Sequence, residues 1–198
     1  MNIQQLLQGL PCTCGHPHTC SIGYVAVEPG AAGHLRRLCQ NHSAILLVAD
    51  SNTYAAAGQQ TMAALQGRTV RSVIFSGETV LIPDEAAVAA VEKQMDGIDA
   101  IVGVGSGVIQ DLCKYVSFRR AVPYYIVCTA PSMDGYASNG AAMIMGGMKV
   151  TYPAGLPRAI LADPAVLPDG WCGRGLAETS AHDGPGLRMA PEGLYYLS

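Results

Sequence analysis

The strongest constraint on the fold is a unit that recurs along the chain: a short, wholly apolar run followed by a segment of helix length. Ala44–Ala49 reads AILLVA, Ala100–Val104 reads AIVGV and Tyr124–Cys128 reads YYIVC. Such runs have no polar face, so both sides of the strand must be covered, as in the interior of a parallel sheet. Tyr24–Val27, Ser72–Phe75 and Ala159–Ala162 are further strand candidates. Helices are expected over 30–39, 54–66, 83–95 and 108–118; Thr53 is placed to cap the second, and Pro83 with Asp84 to open the third. The alternation predicts an α/β fold: a Rossmann-like, mostly parallel sheet with helices on both faces. Past Gly140 a β-hairpin is expected, with Ala141–Met145 and Lys149–Tyr152 flanking Gly146-Gly147.

In such a sheet, ligands bind at the carboxyl ends of the strands. Two of these ends break into small, polar, glycine-rich sequence: Ile101–Asp111, IVGVGSGVIQD, and Cys128–Gly140, CTAPSMDGYASNG. Gly103, Gly105 and Gly107 follow a strand and precede a helix, where missing side chains let backbone approach a pyrophosphate at the helix amino terminus. Gln110 stands where a full G-x-G-x-x-G motif needs glycine, so a tight strand–helix turn without ligand is the competing reading. Asp50 ends an earlier strand and could hold an adenosine ribose, or simply cap a helix. Thr129 and Ser132 offer hydroxyls, Asp134 a carboxylate within an Asp-Gly turn dipeptide, and Lys149 a charge for a substrate phosphate.

Composition narrows the function classes. A net charge of −3 provides no basic footprint for nucleic acid or an anionic membrane, so neither is expected as a partner. No apolar run reaches the length of a membrane span and the amino terminus does not read as a signal peptide, which makes cytoplasm the expected location. Of the seven cysteines, Cys39, Cys113 and Cys128 fall in helix- or strand-like segments and read as small buried hydrophobes. Cys12, Cys14, His16, His18 and Cys20 alternate in CTCGHPHTC. On an extended strand all five would share one face and could hold a soft divalent ion; an ordinary amino-terminal hairpin is the alternative.

GVGSGVIQD, TAPSMDGYASNG, the hairpin and AILADPAVLP together resemble the glycerol-1-phosphate dehydrogenases of the iron-containing alcohol dehydrogenase and dehydroquinate synthase superfamily. VADSNTYAAAG and the CTCGHPH start are similar to the bacterial branch. The resemblance, from about residue 12 to about 170, implies reduction of dihydroxyacetone phosphate to sn-glycerol 1-phosphate with NAD or NADP and one divalent metal, nickel, zinc or iron. It implies Asp50 on the ribose, and Gly105, Gly107, Val108, Ile109, Gln110 and Asp111 around the pyrophosphate. Thr129, Ala130, Pro131, Ser132 and Ser138 would complete the dinucleotide site, and Asp134 would contact a small phosphorylated substrate. A carboxylate at position 50 repels a 2′-phosphate and leans the cofactor toward NAD.

The resemblance weakens after about 170. Glu178 falls where the family has an aspartate metal ligand, and no convincing histidine ligand follows; His182 reads as a tail residue. The expected organisation is an amino-terminal extension or hairpin over 1–22, a dinucleotide-binding domain over 23–170, and over 171–198 a truncated or unstructured start of the family's helical domain, the rest of which is missing. On that reading the fragment alone is inactive, and its oligomeric state is open, a homo-oligomer included. The rival readings are a glycerol dehydrogenase or dehydroquinate-synthase-like enzyme, a non-catalytic NAD-binding module, and a small metal-binding interaction protein built on CTCGHPHTC.

Overall fold

A computed structural model describes residues 3–9, 13–16, 18, 20–131, 134–166, 188–190 and 193–195. After a short helix α1 (Ile3–Leu7), strand β1 (Tyr24–Val27) leads into a 3-10 turn (Ala31–His34) and α2 (Leu35–Leu38). Strand β2 (Ala44–Asp50) is followed by α3 (Ser51–Thr53), a π turn (Tyr54–Gly58) and α4 (Gln59–Ala64). Then come β3 (Thr69–Phe75), α5 (Glu85–Glu92), β4 (Ala100–Gly105), α6 (Gly107–Arg120) and β5 (Tyr124–Cys128). A 3-10 turn (Asp134–Ala137) precedes the hairpin β6 (Gly140–Met145) and β7 (Met148–Pro153), and β8 (Ala159–Ala162) closes the main sheet.

Six strands form that sheet in the order β1-β8-β5-β4-β2-β3, and every pairing is parallel. Side chains alternate across it as the pleat requires. Leu46, Val48, Ile101, Ile126 and Ile160 pack on one face with α5 and α6 through Val88, Val91, Ile109, Leu112 and Val116. Ile45, Leu47, Val102, Val127 and Leu161 pack on the other with Leu35 of α2 and with Ala57, Ala64 and Leu65 of the helical segment after β2. The apolar runs are therefore buried on both sides, as their composition demands. The hairpin turns through Gly146 and Gly147, both at positive φ (60° and 76°), the left-handed pair that a two-residue turn needs.

The structure revises several local expectations. Asp50, not Thr53, is the amino-terminal cap after β2: its Oδ1 accepts from the N–H groups of Asn52 and Thr53 at 2.9 and 2.8 Å. Thr53 is the other half of a capping box, its Oγ1 accepting from the Asp50 N–H at 3.1 Å, so the helical segment begins at Ser51. Asp84 likewise caps α5, which leaves Pro83 outside the helix. At the amino end, the described residues form the helix α1 and turns at 13–14. Gly15 at φ 77° breaks any extended alternation through CTCGHPHTC. Near the other end, Arg188–Ala190 (β9) and Gly193–Tyr195 (β10) pair antiparallel, where the sequence suggests no regular structure. Among the described residues no helix is long and apolar enough to cross a membrane.

Candidate functional site

The helical segments after β2 and after β4 leave the sheet on opposite faces. Between these adjacent strands the chain reverses direction across the sheet, and such switch points open a crevice at the carboxyl edge. Asp50 ends β2 on one side of it; Gly105, Ser106 and Gly107 join β4 to α6 on the other. Thr129 follows β5, the next strand over, and its N–H donates to the Gly105 carbonyl at 3.2 Å.

The β4–α6 turn is shaped by close packing. A Cβ at Gly105 would lie 2.6 Å from Cβ of Ile109, and one at Gly103 would lie 2.9 Å from the Cys113 Sγ and from Cδ1 of Ile126. Both glycines thus let α6 settle against its own strand, which is the ligand-free explanation of their spacing. What the turn then exposes is a different matter. The first intrahelical bond is Gln110 N–H to Ser106 carbonyl, 2.9 Å, and the Ser106 side chain makes no capping bond. The N–H groups of Gly107, Val108 and Ile109 therefore stand at the positive end of a fourteen-residue helix without intrahelical acceptors. Across the crevice, Asp50 Oδ1 is engaged in its cap, whereas Oδ2 has no hydrogen-bond partner among the described residues.

Gln110 and Asp111 face elsewhere. Gln110 is 1 % exposed and its Nε2 donates to the Gly135 carbonyl at 2.7 Å. Its Oε1 and the buried Tyr124 hydroxyl have no hydrogen-bond partner among the described residues. Burial drives that phenol well above its usual range, an effect the Gln110 contact partly offsets. Asp111 sits toward the hairpin: burial raises its carboxyl above the usual range, while Lys114, the Ala142 N–H and Lys149 each pull it back. Lys149 itself is exposed on β7.

The second wall, residues 129–140, is organised by a polar stripe along α6. Gln110, Lys114 and Ser117 recur at helical spacing and all three are buried. Lys114 is 0 % exposed; its Nζ donates to the carbonyls of Gly135 and Gly140 at 3.0 Å each and to Ser138 Oγ at 3.1 Å. Asp111 Oδ1 lies 3.8 Å away. Burial lowers the Lys114 pKa and Asp111 raises it in part. Ser117 Oγ donates to the Val122 carbonyl at 2.6 Å. The Tyr136 hydroxyl stands 2.7 Å from the Ala130 carbonyl and 3.2 Å from that of Gly105, and its one hydrogen serves one of them at a time.

Ser138 is consequently committed to Lys114 and to the Gly140 carbonyl, 3.1 Å away. Thr129 is buried, Ala130 and Pro131 are half-buried, and the Asp134 backbone enters the 3-10 turn that Lys114 and Gln110 hold. Ser132, Glu178 and His182 lie outside the described residues. Lys114, Tyr136 and Ser106 escape a reading based on motifs. A lysine and a glutamine four residues apart on an otherwise apolar helix face were the available signal. Beside Asp50, an open depression of about 380 Å³ runs along the end of β3, lined by Phe75, Thr79, Val80, Leu81, Ile82 and Ala87. Phe75 is the register partner of Asp50.

The iron-containing alcohol dehydrogenase profile matches residues 26–169, the whole of the main sheet apart from its first two residues. The chain belongs to this family. As a family member it is 30 % identical over 79 % of its length to glycerol-1-phosphate dehydrogenase [NAD(P)+] of Geobacillus thermodenitrificans, covering 40 % of that protein. It is 34 % identical over 67 % of its length to the Bacillus velezensis protein of the same name, covering 34 % of it. Its fold matches the crystal structure of glycerol dehydrogenase from Schizosaccharomyces pombe with a TM-score of 0.60, at 20 % identity, over 73 % of this chain and 38 % of that one. The chain thus spans about 40 % of the length of the first of these relatives. The family and the named relatives are alcohol and glycerol oxidoreductases.

Proposed function

We propose that residues 23–170 form the dinucleotide-binding half of an NAD(P)- and metal-dependent glycerol-1-phosphate dehydrogenase, which reduces dihydroxyacetone phosphate to sn-glycerol 1-phosphate. One observation supports the reading: at the carboxyl edge of two adjacent strands, the N–H groups of Gly107, Val108 and Ile109 lack intrahelical acceptors and Oδ2 of Asp50 has no hydrogen-bond partner among the described residues. Anionic pyrophosphate suits the first and a ribose diol suits the second. The names of the relatives support the substrate.

The residues present fit a dinucleotide. Gly107, Val108 and Ile109 would hold the pyrophosphate through backbone, Asp50 the adenosine ribose, and the depression lined by Phe75 and Leu81 offers an apolar wall for a flat base. Thr129, Ala130, Pro131 and Ser132 would border the nicotinamide end, with Asp134 contacting the substrate. The dinucleotide supplies the hydride, and the protein's part is to bind, orient and keep water out. Among the described residues no three potential metal ligands come together, and Glu178 is outside them, so no step is derived through a metal.

Titration of the purified chain with NADH and NADPH, followed by nicotinamide fluorescence, tests this. Asp50→Asn keeps an oxygen for the cap and removes the charge, so a gain of NADPH over NADH by about tenfold is expected. Failure of a folded chain to bind either dinucleotide would sink the proposal. With binding established in the complete enzyme, turnover of dihydroxyacetone phosphate over unphosphorylated dihydroxyacetone tests the substrate.

A further inference from the structure

The amino-terminal cluster of cysteines and histidines takes no part in the crevice, and its local geometry has the features of a metal ligand loop. Cys14 Sγ lies 2.9 Å from His18 Nε2, both side chains exposed, so a thiol and an imidazole already converge four residues apart. The chain is folded back to bring this about. Gly15 takes φ 77° with nothing within 4 Å of the place a Cβ would occupy, and the His16 N–H turns toward Cys14 Sγ at 3.5 Å. The Cys14 thiol also lies 3.8 Å from the His16 carbonyl. Cys20, free and exposed, follows two residues after His18.

We propose that Cys14, His18 and Cys20 bind one borderline-soft divalent cation of the zinc type, separate from any metal of the dehydrogenase reaction. Two thiolates and an imidazole are a zinc donor set, and Cys12 and His16, close by in sequence, are the residues available for a fourth position. Zn–S and Zn–N bonds of tetrahedral geometry separate the two donor atoms by roughly 3.5 Å, so the ion would enter between Cys14 and His18 by a small torsional opening. Among the described residues no three such ligands yet surround one point. The ion itself would gather Cys20, as expected where metal binding and local folding are coupled. One lone pair of contacting ligands would not suggest zinc; five potential ligands within nine residues, four of them among the described residues, do.

The test uses the full chain, stripped of metal, in zinc competition against a chromophoric chelator and in cobalt(II) titration. One equivalent of zinc per chain is expected, and cobalt should bring thiolate charge-transfer absorption with tetrahedral d–d bands. Cys14→Ser and His18→Ala should each weaken zinc by at least about tenfold, and Cys20→Ser similarly, with dinucleotide binding unchanged. Absence of the cobalt–thiolate band in the parent chain would overturn the proposal without recourse to any variant. Equal zinc affinity in the parent and a Cys14→Ser/His18→Ala double variant would overturn it too, by locating the metal elsewhere. An unaltered affinity in Cys20→Ser would remove that residue and with it the three-ligand set.

Discussion

The turn between β4 and α6 leaves three backbone N–H groups without acceptors among the described residues, whereas the polar groups of the loop after β5 are engaged by Tyr136 and by side chains of α6. In the turn, Gly103 and Gly105 bring α6 against the sheet, and the amides of Gly107, Val108 and Ile109 remain unpaired. In the loop, the carbonyls of Ala130, Gly135 and Gly140 and the Ser138 hydroxyl are all taken by Tyr136, Gln110 and Lys114. What the first wall offers a ligand is therefore backbone, and its glycines are fixed by the packing of α6. The second wall has a shape because a buried cation and a buried amide hold it. Damage to either should lower stability, most where the buried cation is lost.

Lys114→Met attacks the difference where it is largest. It leaves two half-buried carbonyls and the Asp111 carboxylate without their cation, a cost of about 3–5 kcal/mol in urea unfolding. Partial recovery in Lys114→Met/Asp111→Asn would identify the unpaired carboxylate as the main term, and no recovery would point to the carbonyls. Gly105→Ala forces a Cβ to 2.6 Å from Ile109 and should cost about 1–3 kcal/mol, with an Ile109→Ala second change relieving the clash. If Gly105→Ala left both stability and dinucleotide affinity untouched, the packing account of this wall would be wrong. Tyr136→Phe removes the hydroxyl that ties the two walls together at Gly105 and Ala130, and should lower stability by about 1–2 kcal/mol. Dinucleotide affinity should fall with it, since the loop is then held to the β4 end through the Thr129 N–H without the Tyr136 hydroxyl.

The smallest effect lies at the far end of α6. Ala121 takes φ 53°, a left-handed position at which a side chain is strained. Ala121→Gly should therefore raise stability by up to about 1 kcal/mol without touching either wall. Thermal melting of this variant also provides the control against which the other three are judged.

The sheet was legible because its evidence is local. AILLVA and YYIVC admit no exposed face, and the predicted bounds of Tyr24–Val27, Tyr124–Cys128 and Ala159–Ala162 coincide with β1, β5 and β8. The glycine-rich break after β4 was legible for the same reason, and Gly146-Gly147 named its own turn. Asp50 shows where local reading runs short. Cap and ribose ligand are the two readings; the cap is observed through Oδ1, and Oδ2, without a partner among the described residues, is left for the proposed ribose contact.

Strand order and the second wall were decided by tertiary structure alone. No periodicity tells which strand lies beside β2; the opposite departures of the segments after β2 and β4 do, and they create the crevice. Gln110, Lys114 and Ser117 look like the polar face of a surface helix until residues 135–140 and Val122 fold over them. Their donors find acceptors that are up to 26 residues away in sequence. A buried polar group is stable only when those partners arrive, and the residues themselves carry no mark of which partners those will be.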